Sequence, residues 1–277
     1  MRTIAIINRK GGCGKTTATV NIAAALGESG RRTLLLDLDP QGSASSWLGA
    51  GPNDQRDLFE TFLGTRSLAD LAEPTRAFGV DLVPASSWLV TAERTLQVDL
   101  ALGAIRALER LPAAWDFVLV DCPPTLGYLA SAALTGCREV IVPVQPHGLD
   151  VLGIEPVMEE MARVQQQLNT ALVLAGIVVG RVSRTNHARD IVASLRASYG
   201  GDVFQQTIRD SIRVPEAAMA GLAVTEFVPD ATIAADIRAV AAELVRRDPD
   251  GEDPDRAEAE PMPGWRGVVG RLVGSRS

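Results

Sequence analysis

A doubly wound α/β domain, with a mostly parallel sheet covered by helices on both faces, is the fold that this sequence predicts. Three observations predict it. Short β-branched runs alternate with longer amphipathic stretches along the 277 residues. The runs are apolar almost throughout, the pattern of parallel strands buried on both faces. The first run passes through a glycine-rich loop directly into a helix-length segment.

Taken in order, the strand-like runs are TIAII (3–7), TLLLDLD (33–39), VDLVPA (80–85), DFVLVDCPP (116–124), EVIVPVQP (139–146), ALVLAGIVVGRV (171–182) and DVFQQTI (202–208). Helix-length stretches lie between them at Thr16–Ser29, Thr91–Arg110, Gly127–Cys137, Val151–Leu168 and Ala188–Ser198, and a final helix spans Ile233–Arg247. In such a fold the ligand site is expected at the carboxyl ends of the strands.

Hydrophobic residues make up 46% of the chain, enough for one full core in residues 1–247. No apolar run approaches the roughly 18 residues of a membrane span, and Met1 leads straight into the first strand without a signal peptide, so a cytoplasmic protein is expected. Cys13, Cys122 and Cys137 have no zinc-site spacing and read as reduced thiols. The net charge of −7 is uneven. Residues 248–261 carry seven acids and one arginine and read as a disordered linker, whereas residues 262–277 carry three arginines and no acid. In that tail Trp265, Val268, Val269, Leu272 and Val273 have helical spacing, with interspersed glycines that weaken a helix. Residues 1–247 are left at −4, so nucleic-acid contact would require a local basic patch.

All but two of the 27 basic side chains are arginine, and the two lysines, Lys10 and Lys15, stand five residues apart in RKGGCGKTT. A compact ammonium on a flexible stem enters a crowded phosphate cradle where a planar guanidinium would demand another geometry. Glycines at 11, 12 and 14 let backbone N–H groups of the loop, Cys13 included, approach an anion, and the helix starting near Thr16 turns its positive end toward it. The loop from Gly11 through Thr17 is therefore the candidate nucleotide site. Lys15 would reach the β- and γ-phosphates of ATP and the Thr16 hydroxyl would ligate Mg²⁺. Four apolar residues ending in Asp121 have the pattern of a strand whose carboxylate holds that ion through water. Asp37 and Asp39, two residues apart at a strand end, project to one side wherever the strand stays extended.

The run KGGCGKTT resembles the deviant Walker A motif of the ParA/MinD superfamily of ATPases. Similarity continues through residues 37–49, 118–134, 140–146 and 211–227, and DPQG at 39–42 is closer to the ParA branch. The resemblance implies that Lys10 reaches across a nucleotide-sandwich homodimer, that Asp39 orients the attacking water, and that Arg209 and Asp210 lie by the adenine. TIRDSIR (207–213) departs from the family's usual stretch there and looks more like small ParA proteins without an N-terminal DNA-reading domain. The family also implies non-specific binding of double-stranded DNA by an arginine surface, for which Arg184, Arg189 and Arg213 are the candidates within a group that includes Arg181, Arg196 and Arg209. It implies an ATPase-stimulating adaptor of ParB type, nucleoid association, and the positioning of plasmid, chromosome or protein cargo. The alternatives are a MinD-like switch using the tail on a membrane, a metal-cluster carrier, for which a cysteine pair is missing, and a small-molecule kinase, which needs no lysine at position 10.

Overall fold

The computed structural model describes residues 1–51, 57–95, 98–146 and 153–247. The expected linker and tail, 248–261 and 262–277, lie outside these described residues. Seven strands form one sheet: β1 (Arg2–Ile6), β2 (Thr33–Asp37), β3 (Glu73–Pro74), β4 (Val80–Val83), β5 (Phe117–Asp121), β6 (Glu139–Val144) and β7 (Val173–Val179). Their order is β3-β4-β2-β5-β1-β6-β7, and every neighbouring pair is parallel except the short edge pair β3–β4. The α/β expectation therefore holds.

The helices are α1 (Lys15–Glu28), α2 (Ser43–Trp47), α3 (Asp57–Leu63), α4 (Trp88–Thr95), α5 (Val98–Glu109), α6 (Tyr128–Gly136), α7 (Ile154–Gln167), α8 (Asn186–Tyr199), α9 (Arg213–Ala220), α10 (Val224–Phe227) and α11 (Thr232–Arg246). Strand side chains alternate between two cores. Ala5, Leu34, Leu36, Val118 and Val120 pack with α3 to α8, whereas Ile4, Ile6, Leu35, Phe117 and Leu119 pack with α1, α2 and α9 to α11. Both faces are covered, which is why the strands read as continuous apolar runs.

Two expectations fail. The segment Thr91–Arg110 is two helices, α4 and α5, rather than one. Residues 202–208 do not form a strand. They run beside β7, with Phe204 N–H donating to Ile177 and Ile208 N–H to Val179, both at 2.9 Å. Between those contacts the N–H groups of Gln205 and Gln206 go to the carboxylate of Glu243 on α11, at 2.8 and 2.9 Å, so no continuous ladder forms. Arg247 closes the same corner: buried over the Phe204 ring at 4.1 Å, it pairs with Glu243 and donates to the carbonyls of Ala175 and Val203.

Candidate functional site

Because β1, β2, β5 and β6 are parallel, their carboxyl ends bring residues far apart in sequence to one edge. After β1 the buried Asn8 starts the loop by donating from its side chain to Pro143 O at 2.8 Å and accepting from Lys10 N–H at 3.0 Å. Gly12 and Gly14 then take φ values of 75° and 94°. L side chains rarely adopt that region, and no atom lies within 4 Å of where a Cβ would stand at either position. The loop thus faces open space, as a backbone cradle for an anion must. Gln145, at the end of β6, donates to Gly12 O at 2.6 Å and fixes the loop from the other side. Cys13 is buried in the loop, and burial pushes its thiol pKa up, so it is not a reactive group.

The two lysines are held differently. Lys15 is 7% exposed, with its ammonium directed at Lys10 O at 3.4 Å, beneath the loop. Lys10 is only partly buried. Asp121, wholly buried at the end of β5, accepts from the Thr16 hydroxyl at 2.7 Å and the Thr19 hydroxyl at 3.0 Å. Burial raises its pKa to about 7, with the neighbouring carboxylate of Asp37 adding to the effect.

Asp37 and Asp39 separate into two roles. Asp37 is buried and accepts from the backbone N–H groups of Asp39 at 3.1 Å and Ser45 at 2.8 Å and from the Ser45 hydroxyl at 2.7 Å. Burial pushes its carboxyl up to about 6 against these hydrogen bonds. It is a fastener between β2 and α2. Asp39 is half-exposed beyond the strand end and accepts from Gln41 N–H at 3.0 Å, which leaves most of its oxygen lone pairs to other donors.

Beside the loop opens a cleft of about 520 Å³. The loop glycines and Gln145 form one wall, residues 208–215 another, and Trp47 and Ala18 contribute its apolar lining. Arg209 and Asp210 both line it, but the Arg209 guanidinium is taken by Asp236 of α11, with contacts of 2.6 and 2.8 Å. Asp210 pairs with Arg181 at 3.3 Å. Of the six arginines grouped by sequence, Arg181 and Arg209 are therefore in ion pairs and Arg196 donates to Gln205 O at 2.7 Å. Arg184 and Arg189 are exposed at and just before the start of α8, and Arg213 is exposed at the start of α9, where it pairs with Glu216 at 2.8 Å. Trp47 and Gln145 are site residues that sequence reasoning missed. QP after an apolar run gave no signal for a loop contact, and the helix ending at Trp47 is too short to show a period.

The donor set suits a magnesium nucleotide. A hydroxyl and one carboxylate stand beside an open glycine cradle, and the described residues hold no cluster of three or more His, Cys, Asp or Glu able to cage a metal alone. Mg²⁺ prefers such partial sites, completed by water and phosphate oxygens. Fold and site together define the class as P-loop nucleotide-binding proteins.

A family model described as an AAA domain matches residues 1–174. The chromosome partitioning protein ParA of Caulobacter vibrioides is 36% identical over 231 residues, covering 80% of this chain and 85% of that one. The chromosome-partitioning ATPase Soj of Thermus thermophilus is 37% identical over 248 residues, covering 89% and 96%. Among solved structures, cobyrinic acid a,c-diamide synthase from Mycobacterium smegmatis with ADP and magnesium superposes with a TM-score of 0.77 at 33% identity, covering 89% of this chain and 94% of that one. The chain belongs to the ParA/MinD superfamily of deviant Walker A ATPases.

Proposed function

We propose that this chain is a ParA-type ATPase that dimerises on binding ATP, holds double-stranded DNA without sequence preference in that state, and lets go after hydrolysis stimulated by an adaptor of ParB type. Its cycle would position a plasmid, chromosome or protein cargo on the nucleoid. The observation that carries this reading is the unequal placement of the two lysines on one loop. Lys15 is buried with its ammonium against a loop carbonyl, where it would serve the phosphates of its own nucleotide, while the more exposed Lys10 would be met by a second copy.

Thr16 and Asp121 would hold Mg²⁺, which when bound neutralises charge on the β- and γ-phosphate oxygens. The chain's own residues do the rest. The N–H groups of residues 11–17 and the amino end of α1 bind the phosphates, Lys15 compensates their charge, and Asp39 orients a water for attack. Residues 208–212 and Trp47 enclose the base and ribose.

Lys10→Ala is expected to keep measurable ATP binding by the monomer while turnover falls about a thousandfold or more, the lower end of the range for a cationic group supplied in trans. Nucleotide titration and phosphate release on the same preparation check this. Wild-type turnover by the variant would remove the sandwich dimer from the proposal. Turnover that requires cobyrinic acid, and neither DNA nor adaptor, would move the chain toward the activity named for the Mycobacterium smegmatis protein.

Because the bulk charge is negative, DNA affinity must come from arginines gathered by dimerisation, two weak patches acting at high effective concentration. Arg184→Glu with Arg213→Glu is expected to weaken ATP-dependent DNA binding at least tenfold and to leave ATP-driven dimerisation intact. Gel-shift titrations at two salt concentrations measure the loss. Full affinity in the double variant, or equal wild-type affinity with ADP and ATP, would refute the DNA-binding part.

A further inference from the structure

We infer that Trp47 is a positioning residue that ties the nucleotide cleft to the turn carrying Asp39; the inference rests on the ATPase reading above. Trp47 ends α2 and is 8% exposed, with its indole in the lining of the cleft. Its ring N–H donates to Leu222 O at 2.8 Å, in the short connection between α9 and α10. The first turn of α9, with Val214 and Pro215, belongs to the far wall of that cleft. Trp47 therefore lines the cleft and at the same time bonds the connection that follows α9, the helix whose first turn lines the cleft as well.

The other end of α2 is fastened to the catalytic side. Gly42 N–H donates to Asp39 O at 2.8 Å, which closes the turn after Asp39, and Ser46 N–H donates to Gly42 O at 2.8 Å as α2 begins. Ser45 is held by Asp37 through both its N–H and its hydroxyl, and the same hydroxyl accepts from Ala85 N–H at 2.9 Å. A five-residue helix thus joins the Asp39 turn at one end to the cleft wall at the other. So short a helix has too few internal hydrogen bonds to hold its place alone, and its position is set by these end contacts. Any nucleotide that braces the α9–α10 wall will brace α2, and with it the carboxylate of Asp39.

The distinction is between binding and turnover. Trp47→Phe keeps most of the ring in the cleft and deletes the N–H donor. It is expected to bind ATP within about threefold of wild type while kcat falls at least fivefold. Trp115→Phe is the control: it deletes an equivalent indole hydrogen bond, to Asp81 at 2.8 Å, in a residue that does not line the cleft, and should leave both quantities unchanged. Amide hydrogen exchange on the wild-type chain gives an answer that does not depend on any variant folding. Adding ATP should slow exchange in residues 40–48 and in residues 219–226 together. Unchanged kcat in Trp47→Phe, or protection of one segment without the other, would overturn the inference. Absence of ATP binding by the wild-type chain would instead overturn the ATPase reading itself.

Discussion

Lys15→Ala is expected to weaken nucleotide binding by roughly two to four orders of magnitude. The Lys15 ammonium lies beneath the loop at 7% exposure and is the one lysine placed to face phosphates bound in its own cradle. Removing it leaves an anion in a partly desolvated pocket without its charge partner, a change that costs about 3–5 kcal/mol. Backbone N–H groups and the amino end of α1 remain, yet such contacts supply only part of the compensation. Lys15→Arg should be nearly as damaging, because a planar five-donor fork does not fit where a single Nζ is packed under a loop carbonyl. Calorimetric titration with ATP, alongside circular dichroism to confirm the fold, decides it. ATP affinity within tenfold of wild type would contradict the assignment of the loop.

Asp39→Ala is expected to lower turnover about 10²- to 10⁴-fold, the usual worth of a group that positions or deprotonates a nucleophile. Nucleotide affinity should survive, since the Asp39 carboxylate accepts from the N–H of Gln41 in the turn after the strand, apart from the Thr16–Asp121 pair. The variant should therefore persist as an ATP-bound dimer. Size-exclusion chromatography in ATP shows this directly. A chain that stays monomeric at saturating ATP would mean that Asp39 shapes the turn and does not act on water.

Lys15 was legible in the sequence because it belongs to a local pattern, the glycine-rich loop between the first strand and α1. The same holds for Asp121, which closes an apolar run, and for the glycines of residues 11–14. The pair Asp37 and Asp39 was less legible. Spacing of two placed both on one side, but only the chain's turn at Asp39 and the arrival of Ser45 decide that Asp37 is buried and bonded while Asp39 stays half-exposed. Arg209 marks another boundary of sequence reasoning. Its partner Asp236 is distant in sequence, so nothing local showed that its guanidinium would be engaged. Residues 202–208 misled through propensity. They are strand-like in composition, yet Glu243 removes two N–H groups from the ladder, a tertiary effect that no window of seven residues contains. The short helices α2, α9 and α10 were missed because five, eight and four residues display too little of a 3.6-residue period.

The burial of Lys15 beside a partly exposed Lys10 also has a chemical consequence. With arginine everywhere else, the chain offers an acylating reagent, apart from its amino terminus, only the amines of Lys10 and Lys15, of which Lys15 is 7% exposed. Covalent tagging at Lys10 would mark the phosphate loop itself without any engineering of the sequence. A fluorophore attached there would be lodged at the face where the proposed second copy arrives, making the chain's scarcity of lysine a ready-made address for optical recording of assembly.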